Sequence, residues 1–412
     1  MSDLRVSVVV VSRGRPDHLA RCLTSLKQQI YPAFEVIVVT DIFGERVVET
    51  TCVDYNVKRL SFDEPNISAA RNVGINAAAG HIVAFIDDDA VAEPTWLGYL
   101  VAPFDKANVA AVGGFVRGRN GISFQWKAQT ADTKGQSHDI EVSDDQPTLL
   151  TPTVDTAIKT QGTNMAVRRN VLAKLGGFDT SYHFYLDDTD LNMRLARQGL
   201  KTAISPMAEV HHATAPSERR TQDRTPTSLY EIGASFAVYL SKYCETDDAE
   251  DAWVDFQAIQ RKRLLQHMVA GWLEPSEVNY LMDGLIEGAS EGVKRERRFI
   301  EPLSSAPDDF LPFQKTSPNG NFVIWGPIWD LKNLRAEAQK MLLEGRIVTV
   351  FALSHTPRRH SVKFDDGGFW MHRGGIFGRS VRNDRPGLHL SVKSRVIAET
   401  ARVSAQRGLG VP

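Results

Sequence analysis

The chain is poor in cysteine and has no long apolar run, and both shortages restrict what kind of protein it is. Only three of its 412 residues are cysteines, Cys22, Cys52 and Cys244, and their spacing does not form a CxxC zinc motif. This excludes a disulfide framework and indicates a reducing compartment. The apolar run after Ser7 consists of four valines, which is too short for a signal peptide or a membrane span.

The chain also lacks an excess of charge and a dinucleotide-binding fingerprint. A formal net charge of −2 gives no reason to expect nucleic acid as a partner. Where a GxGxxG motif would follow the first strand, the sequence reads Ser12-Arg13-Gly14-Arg15, which fits either a nucleotide-binding turn or an ordinary loop. We expect a cytoplasmic protein of two or three domains without a transmembrane segment. Contact with the inner face of a membrane would then depend on a partner or an amphipathic helix.

Apolar runs alternate with helical patterns through the first half of the chain. Residues 6–11, 34–40 and 81–86 read VSVVVV, FEVIVVT and HIVAFI, the composition of strands that are buried on both faces. Between them apolar residues recur at helical spacing, as at Leu19, Leu23 and Leu26. The alternation predicts an α/β fold of βαβ units with a mostly parallel central sheet.

Acidic side chains stand at the ends of two of these predicted strands, where open α/β sheets bind their ligands. The second strand ends at Asp41 and the third at Asp87-Asp88-Asp89. Three carboxylates that leave an apolar strand are costly to desolvate unless a cation pairs with them. Mg²⁺ and Mn²⁺ commonly bind one or two carboxylates together with substrate phosphates. The position of the triplet therefore favours a metal and phosphate site over a solvated acidic turn.

Further candidate residues each have a structural alternative. Arg71 lies near the start of a helix of small residues, where it either helps to bind an anion or lies at the surface. Asp187 and Asp188 open another helix and either complement its dipole or supply a general base for an acceptor hydroxyl. The doublet His211-His212 ends a predicted strand, where a histidine beside carboxylates completes a metal site.

Taken in order along the chain, these segments resemble the family 2 glycosyltransferases with the GT-A fold. The resemblance covers about residues 5–215 and implies a Rossmann-like nucleotide-diphospho-sugar transferase domain. It rests on six segments, VSVVVVSRGRP, VIVVTD, NISAARNVGINAAAGHIVAFIDDDA, GTNMAVRR, LGGFDTSYHFYLDDTDLNMRLARQG and AEVHHA. Each segment is degenerate alone, so the order of the six is the stronger signal.

The resemblance implies roles for the matching positions, with Mn²⁺ or Mg²⁺ as the ion. Asp89 is the main implied metal ligand, and Asp87 and His211 complete the set. The residues implied in donor binding are Ser12, Arg13, Gly14, Arg15, Asp41, Arg71, Asp87, Asp88, Gly162, Thr163 and Asn164. Asp41 would contact the base of the nucleotide.

The sequence departs from the family pattern at three places. Asp188 matches the catalytic aspartate, but position 187 is aspartate where glutamate is usual, so Asp187 stays a second candidate for the base. Gln161 stands where glycine is common. The doublet leaves the choice between His211 and His212 as the third metal ligand open.

The implied reaction is inverting, hexosyltransferase-type transfer from a UDP, GDP or dTDP sugar to a carbohydrate or lipid-linked acceptor. One rival is a nucleotidyltransferase that forms nucleotide sugars. Such enzymes usually carry a glycine-rich loop with a lysine or arginine after the first strand, whereas this chain has the single Gly14 there, and Asp188 would lack a clear role. Another is a non-catalytic binding or scaffold protein. Loss of the family's DxD motif, which Asp87-Asp88-Asp89 resembles, or of Asp188 would indicate that rival, and both are present.

The rest of the chain is assigned by pattern alone: 1–215 is the transferase domain, 216–226 a linker, 227–345 a helical region and 346–412 a small β-rich basic region. An apolar stripe in the helical region predicts core packing over membrane contact, with a homo-oligomer interface as the other use; its residues are Leu229, Ile232, Phe236, Tyr239 and Leu240. From residue 358 onward, eleven Lys/Arg minus four Asp/Glu leave a balance of +7. This balance suits an anionic acceptor, a lipid surface or a solvated face, and Trp370 there is either buried or exposed for stacking on a sugar.

Overall fold

The computed structural model describes residues 4–213, 216–295, 300–307, 309–313, 318–385 and 389–410. The strands of the first half are β1 (Val6–Ser12), β2 (Phe34–Thr40), β3 (Val57–Ser61), β4 (Ile82–Asp87), β5 (Ala90–Ala92), β6 (Val109–Arg117), β7 (Phe124–Trp126), β8 (Gln129–Asp132), β9 (Ser137–Asp139), β10 (Thr148–Leu150), β11 (Thr156–Lys159), β12 (Met165–Arg168) and β13 (Lys201–His212). The helices are α1 (Pro16–Leu26), α2 (Ile42–Thr51), α3 (Ile67–Ala77), α4 (Trp96–Val101), α5 (Arg169–Leu175) and α6 (Asp187–Arg197).

The central sheet confirms the predicted α/β fold. Its strand order is β10-β13-β6-β12-β4-β1-β2-β3, with β5 paired to β13 and β7 to β6. Strands β3, β2, β1 and β4 run parallel, as do β6 and β13, while β12 lies antiparallel between β4 and β6. Val8 and Val10 pack in a core that includes α1 and α4, and Val9 packs with α3 and α6 on the other face. Helices on both faces explain why β1 is nearly all valine.

Residues 118–155 are more regular than the sequence predicts. Their polar, poorly periodic sequence predicts an excursion from the domain, but strands β7 to β10 lie there, and β8 and β9 form a separate three-stranded sheet with β11. The pattern at 201–204 predicts a short strand, but β13 continues from Lys201 to His212. Pro206 interrupts the strand pattern in the sequence. In the structure the register shifts between Ser205 and Val210, and the strand continues past the proline.

The second half divides at a different place from the one predicted. Its elements are α7 (Tyr230–Tyr243), α8 (Thr246–Val269), α9 (Pro275–Gly292), β14 (Asn321–Pro327), α10 (Leu331–Leu343), β15 (Ile347–Ser354), β16 (Ser361–Phe364), β17 (Trp370–Gly375) and α11 (Val392–Arg407). Strand β14 and helix α10 fall inside the predicted helical region 227–345, yet β14 joins the sheet β14-β15-β17-β16. Because β14 pairs in parallel with β15, residues from Asn321 onward belong with the C-terminal sheet. Within the described ranges, none of the helices could cross a membrane.

The apolar stripe of α7 forms part of the core, as predicted. Leu229, Phe236, Tyr239 and Leu240 are at most 6% exposed, and the Phe236 ring stacks on a phenylalanine of α8. Helices α7 and α9 approach closely, since a Cβ at Gly288 would lie 1.9 Å from a backbone carbonyl oxygen of α7. This face is therefore buried within the chain and is not available as an oligomer interface.

A buried arginine joins the C-terminal region to the α/β domain. Arg407, at the end of α11, places its Nε 3.0 Å from Oε2 of Glu93 and its Nη1 2.7 Å from Nε2 of His372. The guanidinium also lies 4.4 Å from the ring centre of Trp370, which packs against the ring of His211. Trp370 is fully buried, so it does not present a surface for stacking on a sugar.

Glu93 is expected to make the stability of the protein sensitive to acid. Burial alone would raise the pKa of this carboxyl, but Arg407 and His211 outweigh it and lower the pKa to about 2. The folded-state pKa of Glu93 lies below the ordinary value of 4.5. The ionised carboxylate, with its partners, therefore contributes stability above pH 4.5, and this contribution is lost as the pH falls toward 2. We expect the free energy of unfolding, measured by urea denaturation, to fall more steeply over this range in wild type than in Glu93→Gln.

The exposed carboxylate of Glu49, paired with Arg59 at the surface, provides the control for this measurement. Glu49→Gln should keep the wild-type slope, since exposed ion pairs contribute little. Equal slopes for wild type and Glu93→Gln would contradict the assignment.

Candidate active site

Asp88 is the aspartate of the triplet that is bound most tightly to the end of β1. Its carboxylate accepts a hydrogen bond from the Ser12 hydroxyl at 2.7 Å and one from Nη1 of Arg15 at 2.9 Å. Burial raises the pKa of Asp88 to about 7, and Arg15 acts against this shift. The predicted donor residues at the ends of β1 and β4 are therefore brought together.

Asp87, Asp89 and His212 form a cluster with the chemistry of a metal site. Each offers one ligand atom, and the three atoms lie within 4.8 Å of one another. Backbone pairing positions them, since His212 is opposite Ala90 in the ladder between β13 and β5. The Nε2 atom of His212 lies 3.1 Å from Oδ1 of Asp89. Two carboxylates and an imidazole are a donor set that fits a divalent cation such as Mn²⁺.

The predicted third ligand, His211, lies on the other face of β13. Consecutive residues of a strand point to opposite faces, so only one histidine of the doublet can reach the aspartates. The Nε2 atom of His211 lies 2.8 Å from Oε1 of Glu93, and its ring packs against Trp370. The structure therefore places His212, and not His211, beside the aspartates, and metal binding there stays a prediction.

A second group of possible ligands, His360, His372 and Glu399, also lies within 4.8 Å. Arg407 donates to Nε2 of His372 at 2.7 Å, so this nitrogen presents its lone pair and Nδ1 carries the proton. That Nδ1 lies 2.9 Å from Nε2 of His360, to which it donates. A protonated Nδ1 is not a metal ligand, so we interpret this group as a buried hydrogen-bond network.

Arg71 links the aspartate triplet to the second acidic segment. Its buried guanidinium places Nη2 3.2 Å from Oδ1 of Asp87 and forms an ion pair with Asp187 through Nη1. Burial raises the pKa of Asp187 to about 6, and Arg71 opposes the shift. Because Asp187 is engaged by Arg71, it is the weaker of the two candidates for a general base.

Asp188 is in the first turn of α6 and is more open to solvent than Asp187. Its Oδ2 accepts from the backbone N–H of Gly162 at 2.9 Å and its Oδ1 from a neighbouring hydroxyl at 3.1 Å. Across the ranges that the structure covers, no cationic side chain forms an ion pair with it. The two residues before α6, Tyr185 and Leu186, have φ values of 73° and 62°. Such left-handed non-glycine backbone is strained and is typical of functional loops.

The predicted pocket segment 162–164 divides between two roles. Gly162 lies against Arg71, because a Cβ at this position would be 2.5 Å from Nη2 of that arginine. Asn164 is fully buried, accepts from the Trp96 indole and donates to two backbone carbonyls. It therefore supports the sheet and does not line an open pocket. The Thr163 hydroxyl is buried and has no hydrogen-bond partner among the residues described.

The turn after β1 is held by Asp41, as expected if both strand ends line one pocket. Oδ2 of Asp41 accepts from the N–H of Gly14 at 2.7 Å, and Oδ1 caps α2 by accepting from Gly44 at 2.9 Å. Arg13 lies farther out and pairs with Asp63 at the surface. Contact of Asp41 with a base stays a prediction.

The segment 216–226, predicted to be a linker, lies over the aspartates instead. Nη2 of Arg220 is 3.4 Å from Oδ2 of Asp89, and Glu218 lies 3.3 Å from Nη1 of Arg13. The arginines at 219, 220 and 224 were the signal in the sequence, but flanking prolines and charge are equally typical of a linker.

Comparisons of the sequence with known proteins find glycosyltransferases among its relatives. A family model described as glycosyltransferase like family 2 matches residues 4–226. The chain is 29% identical over 249 residues to the O-antigen biosynthesis protein RfbC of Myxococcus xanthus, covering 57% of this chain and 19% of that protein. It is 26% identical over 223 residues to the glucosyl-dolichyl phosphate glucuronosyltransferase of Haloferax volcanii, covering 51% and 69%.

A third relative is the pre-mycofactocin glycosyltransferase of Mycobacterium tuberculosis, 28% identical over 226 residues, covering 53% of this chain and 44% of that protein. The chain thus matches less than half the length of two of these three relatives.

Proposed function

The chain belongs to the glycosyltransferase-like family 2, and from this premise we propose that it transfers a hexosyl group from a nucleoside-diphosphate sugar to an acceptor hydroxyl. The observation that carries the proposal is one connected site. Asp87 and Asp89 share a cluster with His212, and Arg71 and Gly162 connect Asp87 to Asp188. Such a site holds a metal-bound diphosphate next to a carboxylate that can accept a proton.

The donor diphosphate would lie beside the aspartates, held by charge. When bound there by Asp87, Asp89 and His212, a divalent cation supplies Lewis-acid stabilisation of the charge on the leaving diphosphate. Arg15 and Arg220 add positive charge beside Asp88 and Asp89, which also favours a diphosphate. The imidazole ligand favours Mn²⁺ over Mg²⁺, since Mg²⁺ prefers oxygen ligands.

The reaction we propose is a single displacement with inversion. Asp188 takes the proton of the acceptor hydroxyl as the hydroxyl oxygen forms a bond to the anomeric carbon. The bond from that carbon to the diphosphate oxygen breaks, and the nucleoside diphosphate leaves with the electron pair. Because Asp187 is engaged by Arg71, one carboxylate remains for proton transfer, which is what a single displacement requires.

We propose that the protein works in a reducing compartment, the cytoplasm that the sequence leads us to expect. Cys22 and Cys52 are buried thiols, and Cys244 is also unpaired. The acceptor we propose is a carbohydrate or a lipid-linked carbohydrate.

A thermal-shift screen of UDP, GDP and dTDP and their sugars, with and without Mn²⁺, tests the proposed function. We expect one nucleotide to raise the unfolding temperature slightly alone and more with Mn²⁺, because a ligand at 100 times its Kd adds about 2.7 kcal/mol to stability. No shift with any nucleotide would favour a non-catalytic binding protein. Release of pyrophosphate from a nucleoside triphosphate and a sugar phosphate would instead show a nucleotidyltransferase.

Gly162→Ala tests the contact between this glycine and Arg71. The new Cβ would lie 2.5 Å from Nη2 of Arg71 and must displace the guanidinium from Asp87. We expect kcat/KM to fall roughly 10- to 100-fold, since small misplacements within a site cost this much, with little change in the unfolding temperature. In the control, Gly118→Ala, the nearest atom is 3.7 Å away, and activity should be retained. Equal activity of the two variants would show that the contact has no role.

A further inference from the structure

The outer face of α8 carries an exposed apolar stripe. Val254, Leu265 and Val269 are 61%, 37% and 84% exposed, and Ala258 is exposed between them. These residues recur at intervals of four or seven positions, so they lie along one side of the helix. The opposite side of α8 packs in a core with α7 and α9. The helix therefore has apolar surface on two sides, and apolar surface that stays exposed marks a contact with another molecule when it is continuous.

The charges of α8 are divided between its two halves. Residues 247–255 contain five acidic residues and no basic one, whereas residues 256–269 contain two arginines and one lysine and no acidic residue. The helix dipole favours acids in the first turn and bases in the last turn. Asp255 and Lys262 lie well inside a helix that runs from Thr246 to Val269, so the dipole does not account for them.

Asp255 and Lys262 have no counter-charge on their own helix. None of the residues three or four positions from either one carries the opposite charge. Asp247, Asp251 and Asp255 instead follow each other at intervals of four, a row of like charges that destabilises an isolated helix. Across the described part of the chain, no salt bridge includes Asp255 or Lys262. Both side chains are exposed, so a partner outside the chain can supply the missing charges.

This face of α8 is complementary to itself when a second copy is turned end over end about Ala258. Asp255 comes three residues before Ala258 and Lys262 four residues after it, and both lie on the same flank of the stripe because seven residues make two turns. An antiparallel pair with two-fold symmetry then places Asp255 of each copy beside Lys262 of the other. The small side chain of Ala258 lets the two helices approach closely at the axis.

A groove beside the stripe adds to the surface that a second helix can cover. Ala258 and Arg261 line it from α8, and Met282, Asp283 and Ile286 line it from α9. Ile286 is 46% exposed. The groove therefore offers apolar side chains and one charge of each sign next to Ala258, where the two-fold axis would pass.

We propose that two copies of this chain pair through the outer faces of α8, as an antiparallel dimer centred on Ala258. The dimer would form with or without a bound donor, so it is independent of the proposed function. The stripe of α7 is buried, and the homo-oligomer interface expected in the helical region falls on α8 instead. An anionic lipid surface fits this face less well, because it would repel the acidic half of the helix.

Sedimentation velocity of the full chain at several concentrations tests the pairing of charges. We expect wild type to form a dimer that dissociates on dilution. Asp255→Lys and Lys262→Asp should each weaken the dimer roughly tenfold or more, because each brings like charges together. An equimolar mixture of the two variants should dimerise like wild type, since every reversed charge then meets its opposite. Glu337→Lys and Lys340→Asp make the same reversals at exposed positions of α10 and should leave the dimer unchanged.

Ala258→Cys tests the position of the two-fold axis. With the two copies of residue 258 face to face, the new thiols can reach disulfide distance, and mild oxidation should give a covalent dimer on a non-reducing gel. The control is Ala336→Cys, the same change at an exposed position of α10, which should remain monomeric on the gel.

Three results would each overturn the inference. They are a wild type that is monomeric at every concentration, a mixture of the two reversed variants that dimerises no better than either alone, and an oxidised Ala258→Cys with no more covalent dimer than Ala336→Cys. A monomer that sediments with anionic vesicles, and no longer does so after Lys262→Asp, would show that the face contacts a membrane and not a second copy.

Discussion

Replacing Asp188 by Asn is expected to lower kcat by about 10²- to 10⁴-fold, the usual contribution of a general base, while donor affinity stays unchanged. An amide oxygen can still accept the hydrogen bond from the Gly162 N–H, so the loop should keep its position. The amide cannot take a proton from the acceptor hydroxyl. Single-turnover transfer and nucleotide titration of the same preparation would separate the two effects.

Asp187→Asn is the matched variant, one residue away and with the same chemical change. It weakens the ion pair with Arg71 and should act through structure. We expect lower stability and weaker donor binding, because Arg71 also contacts Asp87. The assignment of the base is wrong if Asp188→Asn keeps its kcat while Asp187→Asn loses kcat with unchanged donor affinity.

His212→Ala should weaken Mn²⁺ binding by roughly 10- to 100-fold or more, while His211→Ala should leave it unchanged. Even residues that only support a metal ligand typically contribute this much to affinity. His212 lies 3.1 Å from Asp89, whereas His211 contacts Glu93 on the other face of the strand. The loss of free Mn²⁺ signal in electron paramagnetic resonance, recorded with a nucleoside diphosphate present, gives both affinities.

His211→Ala has its own expected effect, on stability. Removing the imidazole takes one partner from the buried Glu93, and we expect a loss of about 1–3 kcal/mol in the free energy of unfolding. Asp89→Ala serves as the positive control and should abolish the Mn²⁺ dependence of the thermal shift. If His211→Ala loses the metal and His212→Ala keeps it, the correction made from the structure is wrong.

The sequence was most informative where burial is extreme. Runs such as VSVVVV can only be strands covered on both faces, and Asp87-Asp88-Asp89 at the end of such a strand is difficult to explain without a cation. The apolar runs and the helical patterns between them predicted the fold class that the central sheet confirms, and the position of the site stays a prediction. The roles of individual residues within the site follow from the structure and not from the sequence, as the two histidines show.

His211 and His212 could not be distinguished in the sequence because β13 is buried on both faces near its end. A strand with one solvent-exposed face alternates apolar and polar residues, and this alternation would have indicated which histidine faces the aspartates. Here the choice depends on pairing with β5, a strand of only three residues. No local pattern in the sequence records that pairing.

The boundaries of the second half were mispredicted for a related reason. β14 joins the C-terminal sheet by pairing with β15, and Arg407 pairs with Glu93, which lies 314 residues earlier in the chain. Contacts of this kind are set by the assembled core and leave no periodic signal along the chain.

The most direct test of the central claim is anomalous diffraction at the manganese absorption edge from crystals grown with Mn²⁺ and a nucleoside diphosphate. We predict one strong peak between Asp87, Asp89 and His212, next to the diphosphate. A peak instead among His360, His372 and Glu399, or a bound nucleotide with no manganese peak beside the aspartates, would contradict the claim.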